Sequence, residues 1–319
     1  MKRALLSFFF LLEINSIISY RCGADSIKKK PHTIDEKDID NKRKLSTDYT
    51  PLNIKLDFTY LESQQFLQSK DLNDLKELFN EVISYINILF SVKHSNINLS
   101  KNMIENYCGI PKYSSNLEQS FLTHDLLIFP YININMSEYT LAQAWTCLIL
   151  SSNSRPLVGV VEINPNFSLN KIDTSFHMKY ILLHEISHVL GFNSGMFEKL
   201  HFLYTERKNG ITRDYLISPK VIEKAKLHFN CDNLKGVELE NQGGDGSAGS
   251  HWEARYMLGD YMISTNYIEN TISDITLAYF EDTGFYKVNY YTGGLFRYGK
   301  NQGCAFLQED CIKNNITFS

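Results

Sequence analysis

Apolar positions along the chain follow two periods, and the switches between them mark the elements. "LNIKLDFTYL" (52–61) alternates apolar and polar residues and predicts a half-buried strand. "DLNDLKELFNEVISYINILFSV" (71–92) changes to helical spacing, with Leu75, Leu78, Phe79, Val82, Ile83, Ile86, Leu89 and Phe90 forming one apolar face. "HDLLIFPYI" (124–132) and "PLVGVVEIN" (156–164) are continuous apolar runs and predict strands buried on both faces. A second helix is expected to start near Asp173 or Thr174 and to carry "SFHMKYILLHEISHVLGF" to Gly191. Further on, "VIEKAKLHF" (221–229) predicts a short helix, and "NQGGDGSAGS" (241–250) a glycine-rich loop. "SDITLAYFEDTGFY" (273–286) has Ser273 or Asp274 as N-cap and Gly284 as a stop. The simplest sum is a mixed sheet with two main helices, followed by a looser second lobe, without internal repeats.

The N-terminus changes this picture. "MKRALLSFFFLLEINSIISYRCG" joins a basic start to an apolar run from Ala4 to Leu12, too short to span a bilayer and interrupted by Glu13. It reads as a signal peptide over residues 1–20, cleaved between Ser16 and Gly23. Residues 21–48, which include the charged stretch "SIKKKPHTIDEKDIDNKRKLS" (26–46), read as a prosegment or linker, with "NKRKLS" a candidate processing site. The expected route is secretory and the expected location extracellular or surface-associated. No later segment is a transmembrane candidate, and the end "CIKNNITFS" lacks the apolar tail of a lipid-anchor signal.

Composition narrows the partners. With 319 residues, 43% hydrophobic and 21% charged, the chain can bury a sizeable core, and a net charge of −4 offers no basic field for nucleic acid. Six cysteines (22, 108, 147, 231, 304 and 311) favour disulfides in a secretory setting. Asn98, Asn135, Asn166 and Asn315 begin glycosylation sequons.

The chemistry lies in "HEISHVLGFNSG" (184–195). His184 and His188, four apart on a helix, point imidazoles from one face toward a common atom, which suits one zinc ion. Glu185 is offset around the helix and can act as general base toward a water that the metal acidifies to a pKa of about 7. The competing assignment is a buried helix whose histidines face other polar groups, and burying two histidines and a glutamate without partners is costly. A catalytic site needs a third ligand. The commonest extended pattern places it where this chain has Ser194. His177 lies two turns up the helix, too far to share the ion, and His32, His94, His124, His201 and His228 have no metal-like context. His251, in "GSHWEARYMLGDYMIS" directly after the glycine-rich loop, is the candidate, with Glu253 its rival and a solvent-facing histidine the plainer alternative.

"HEISHVLGF" followed 63 positions after His188 by "HWEARYMLGDYM" resembles the leishmanolysin (major surface protease, invadolysin) family of metzincin zinc peptidases. "YTPLNIKLDF", "RPLVGVVEINP", "AKLHFNC", "GVELEN", "ITLAYFEDTGFYKVNY" and "GKNQGCAFL" extend the likeness over roughly residues 49–317. The resemblance implies an α+β, two-lobed metzincin-type domain over 49–319. Its N-terminal lobe (49–192) would hold a mixed β-sheet and the zinc helix, followed by an insertion (193–250) and a C-terminal lobe with a Met-turn (251–319).

The resemblance implies a metalloendopeptidase acting on protein or peptide substrates, with one Zn2+ per chain. His184, His188 and His251 become ligands, Glu185 the general base, Gly191 the turn that ends the helix, and Met262 the methionine under the site. Cys22 resembles a prosegment cysteine that caps zinc in latent forms, against a plain disulfide cysteine. A part in cell-surface adhesion and peripheral surface association stand beside the enzymatic role, and no pattern specifies an oligomeric state. The family usually continues into a cysteine-rich C-terminal region, whereas this chain stops at Ser319, so a shortened second lobe is expected. The cysteine near "INP" with which the family pairs the counterpart of Cys147 is absent here, so Cys108 becomes one candidate partner, and the connectivity is not readable from the sequence. The alternative function is a catalytically impaired surface adhesion or binding protein that retains the zinc site.

Overall fold

The computed structural model describes residues 30–34, 48–94, 101–115, 117, 124–137, 140–165, 172–208, 210–242, 247–265, 270–308, 312–313 and 316–317. It is a mixed α+β structure with several sheets. Strands β1 (His32–Ile34), β2 (Thr50–Pro51), β3 (Ile54–Leu56) and β4 (Phe90–Val92) belong to the N-terminal part, with β5 (Leu126–Ile132), β6 (Ala142–Leu150) and β7 (Pro156–Ile163) following. The main sheet has the order β1-β6-β7-β5-β3. Within it β3, β5 and β7 run parallel, β6 is antiparallel to β7, and β1 lies parallel to β6.

The sheet is covered on both faces, which is why β5 and β7 read as unbroken apolar runs. Leu126 and Ile128 of β5 join the larger core, while Leu127 and Phe129 join a smaller one with Ile34, Ile104, Trp145 and Leu148. A disulfide between Cys108 and Cys147 joins the chain at residue 108 to β6 within the smaller core.

Helices α1 (Thr59–Gln64) and α2 (Ser69–Leu89) follow β3. The apolar face expected on α2 is the buried one, from Leu75 to Leu89. The strand expected over 52–61 is shorter than its pattern. Asp57, 4% exposed, accepts the amides of Thr59 (2.9 Å) and Ser114 (2.9 Å), and this turn converts the chain into α1. His32–Ile34, inside the stretch expected to be a linker, pairs with Leu148–Leu150 and buries Ile34.

Helix α3 (Ile172–Val189) carries the H-E-x-x-H segment and packs on the sheet through one unusually close approach. A Cβ at Gly159 of β7 would lie 2.2 Å from Val189 Cγ1, so a side chain there must push the helix end away. Gly159→Ala is therefore expected to cost about 1–3 kcal/mol, the usual range for overpacking. Thermal unfolding measures it, and adding Val189→Ala should restore most of the loss. An unchanged melting temperature in the single variant would contradict the packing described.

Beyond α3 come α4 (Ser194–Lys199), a hairpin of β8 (Leu203–Lys208) and β9 (Ile211–Leu216), α5 (Pro219–Phe229) and β10 (Val237–Glu238). Then follow α6 (Ala254–Met257), α7 (Asp274–Asp282), β11 (Tyr286–Val288) and α8 (Gly303–Gln308). The strands of the hairpin and β10 form a sheet of order β10-β9-β8. A second disulfide, Cys231–Cys304, joins the residue after the α5 C-cap to α8. Cys22 and Cys311 lie outside the described residues. Among those described, no helix is long and apolar enough to cross a membrane.

Candidate metal centre

The end of α3 is shaped by its glycine. Gly191 has φ +116°, and the chain closes there with Phe192 N donating to Ser187 O (3.0 Å) and Gly191 N to His188 O (3.2 Å). This is the double closure that a left-handed C′ residue permits. The carbonyls beyond it are also taken: Tyr279 OH donates to Gly191 O (2.5 Å) and Tyr286 OH to Leu190 O (3.1 Å). Ser194, where a third histidine would stand in the commoner pattern, instead begins α4, and its amide donates to Ser250 Oγ (2.9 Å), beside His251.

His251 is fastened from two sides. Glu240 N donates to His251 O (2.9 Å), and Trp252 N to Met262 O (3.0 Å). The histidine is thus brought back against α3, and His184, His188 and His251 form a buried trio that could hold a metal ion. His184 Nε2 lies 3.0 Å from His188 Nε2 and 3.1 Å from His251 Nε2.

The hydrogen positions follow from the outer partners. Nδ1 of His184 meets Tyr261 O (2.7 Å), Nδ1 of His188 meets Phe192 O (2.6 Å), and Nδ1 of His251 meets Ser247 O (2.8 Å). A carbonyl only accepts, so each Nδ1 donates, and each neutral ring turns a bare Nε2 lone pair toward the other two. Burial keeps the rings neutral: it lowers His184 to about 4 and His251 to about 3, and it also lowers His188 well below the ordinary imidazole range, helped by its two neighbours. Three acceptors facing one another at this distance repel unless a cation lies between them. A tetrahedral ion with bonds of about 2.0–2.1 Å would space them about 3.3 Å apart, so the trio fits zinc to within a few tenths of an ångström.

Glu185 is 2% exposed, one residue along α3 from His184. Glu253 is not in the trio; its carboxylate accepts the Arg255 amide (3.2 Å) and caps α6. Met262 is fully buried in the turn whose preceding residue, Tyr261, supplies the acceptor for His184. Outside the trio, His32 stacks on Tyr107, His94 lies between Thr50 and Asp125, and His228 meets Tyr298 O. The sequence pattern did not point to the three carbonyl acceptors or to Asp260. Main-chain acceptors carry no residue signal, whereas Asp260, two positions before Met262 in "GDYM", was visible as a charge in an apolar segment.

Fold and site together define a candidate metal-centred α+β protein of the H-E-x-x-H type. The family model for leishmanolysin matches residues 89–318, and the chain belongs to that peptidase family. It is 35% identical to a leishmanolysin homolog of Crithidia fasciculata, over 66% of this chain and 32% of that protein. It is 34% identical to leishmanolysin of Leishmania chagasi, over 58% and 31%. With a leishmanolysin-like peptidase of Drosophila melanogaster it shares 31% identity, over 54% and 31%. The chain spans about a third of the length of these curated relatives.

Proposed function

We propose that this chain is a zinc-dependent metalloendopeptidase that cleaves protein or peptide substrates. The observation that carries the proposal is the set of three buried imidazoles whose bare Nε2 atoms face one point. His184, His188 and His251 would hold one Zn2+, which supplies Lewis-acid chemistry, acidifying water and polarising the scissile carbonyl. Glu185 takes a proton from the attacking water as its oxygen bonds to the carbonyl carbon. The same carboxyl then delivers that proton to the amine nitrogen as the C–N bond breaks. Met262 would form the floor beneath the histidines without ligating.

The finer assignments belong to the same proposal. They are two lobes meeting at the site, bounded at residues 49–192 and 251–319 with an insertion between, and a signal peptide and prosegment ahead of them. Cys22 would restrain the latent form. A secretory route, surface association and a part in adhesion are proposed on the family's character.

The test is metal content and metal dependence of the expressed chain. One zinc per chain is expected, with proteolysis of a general protein substrate abolished by a chelator and restored by zinc. Chelator-insensitive cleavage would refute the proposal.

A further inference from the structure

Behind the histidines lies a fully buried carboxylate that the proposed mechanism leaves unused. Asp260 is 0% exposed, and the partners of its side chain are neutral donors. Oδ1 accepts the Met262 amide (2.8 Å), while Oδ2 accepts the Thr276 hydroxyl (2.8 Å) and the Ser273 amide (3.3 Å). Holding a carboxylate in such a place is expensive, and burial raises its pKa to about 6 against the pull of these hydrogen bonds. An apolar residue would fill the space more cheaply if packing were all the position required.

The connections of these partners lead to two of the three histidines. Thr276 Oγ1, which donates to Asp260, accepts from Trp252 Nε1 (2.7 Å), and Trp252 is the residue after His251. Trp252 N in turn donates to the carbonyl of Met262, whose amide is held by Asp260. The residue between them, Tyr261, offers its carbonyl to His184 Nδ1 (2.7 Å) and its phenol to Ser187 Oγ (3.1 Å) on α3. One carboxylate thus fixes the turn that orients the first histidine and, through Thr276 and Trp252, the segment that carries the third. Oδ1 serves the turn, and Oδ2 serves the start of α7.

We propose that Asp260 is a positioning residue of the zinc site, acting through Tyr261 O on His184 and through Thr276 and Trp252 on His251. The proposal rests on the zinc site proposed above and adds a residue to it. Partners that orient metal-bound histidines typically change metal affinity by 10–100-fold when removed. Asp260→Asn keeps the size but leaves one oxygen to do the work of two, and Thr276→Val keeps the branched shape while deleting the hydroxyl link.

The experiment measures zinc affinity of the full chain by chelator competition and the visible absorption of the Co2+-substituted protein, with melting of the metal-free form as a measure of folding. Each variant is expected to bind zinc about tenfold or more weakly and to show an altered Co2+ spectrum. Ile83→Ala, a core truncation in α2, should lower the melting temperature but leave both metal readouts unchanged. Should Asp260→Asn fail to fold, Thr276→Val alone decides. Variant affinities within about twofold of the unmodified chain, or an equal loss in Ile83→Ala, would overturn the positioning role. If the unmodified chain bound no zinc, the zinc site itself would fall, and this role with it.

Discussion

Glu185→Gln is expected to lower kcat by roughly 10²- to 10⁴-fold, the usual contribution of a positioned acid–base group. The amide matches the carboxylate in size and can still donate and accept hydrogen bonds, but it cannot take a proton from water at neutral pH. Because the side chain is 2% exposed, a substitution of equal volume is the one that tests chemistry rather than packing. The three imidazoles and their carbonyl acceptors are untouched by it, so zinc content should stay at the unmodified level. KM should change little, since the lost interaction belongs to the transition state. Steady-state kinetics with parallel metal analysis measures all three quantities. Undiminished activity would remove Glu185 from the mechanism, and loss of zinc would show that its role is structural.

His251→Ala should weaken zinc binding sharply. Structural zinc sites bind with about 10–16 kcal/mol in total over four ligands, so about 3 kcal/mol goes with each, and affinity should fall on the order of a hundredfold. Activity should disappear with the metal. Glu253→Ala is the informative companion, because the two residues are neighbours in sequence with different tasks. The Glu253 carboxylate caps α6, and its loss should cost about 1 kcal/mol of stability while zinc remains. Metal analysis and thermal unfolding of both variants separate the outcomes. A zinc affinity in His251→Ala equal to that of the unmodified chain would defeat the assignment.

Much of this arrangement was legible beforehand, for reasons that differ by element. The α2 face and the buried strands β5 and β7 were readable because burial imposes a period, or removes one, over many residues. The first two histidines were readable because helical geometry ties spacing to direction. His251 came from its neighbours in "HWEARYMLGDYM", since no periodicity connects positions so distant. The β8–β9 hairpin went unread although Asn209–Gly210 stands in the sequence as a standard hairpin signal, and Gly210 has φ +80°. β6 also went unread: "AQAWTCLIL" mixes small, polar and apolar residues, and its strand character comes from pairing with β7 and β1. The early end of β3 depended on Asp57 finding amides at Thr59 and Ser114, one of them far along the chain.

The three carbonyls that hold the histidines belong to Phe192, Ser247 and Tyr261, and all are main-chain groups. No single exchange of a side chain removes such an oxygen, so these orienting contacts are shielded from ordinary point mutation. Their weakness lies elsewhere: insertions, deletions or backbone shifts in three separate stretches can each misalign one ring. The acceptor at positions 192, 247 and 261 thus survives any side-chain exchange that preserves the path of the chain, although Phe192 and Tyr261 are also held by their own burial, and variation in loop length is the kind of change these contacts can least absorb.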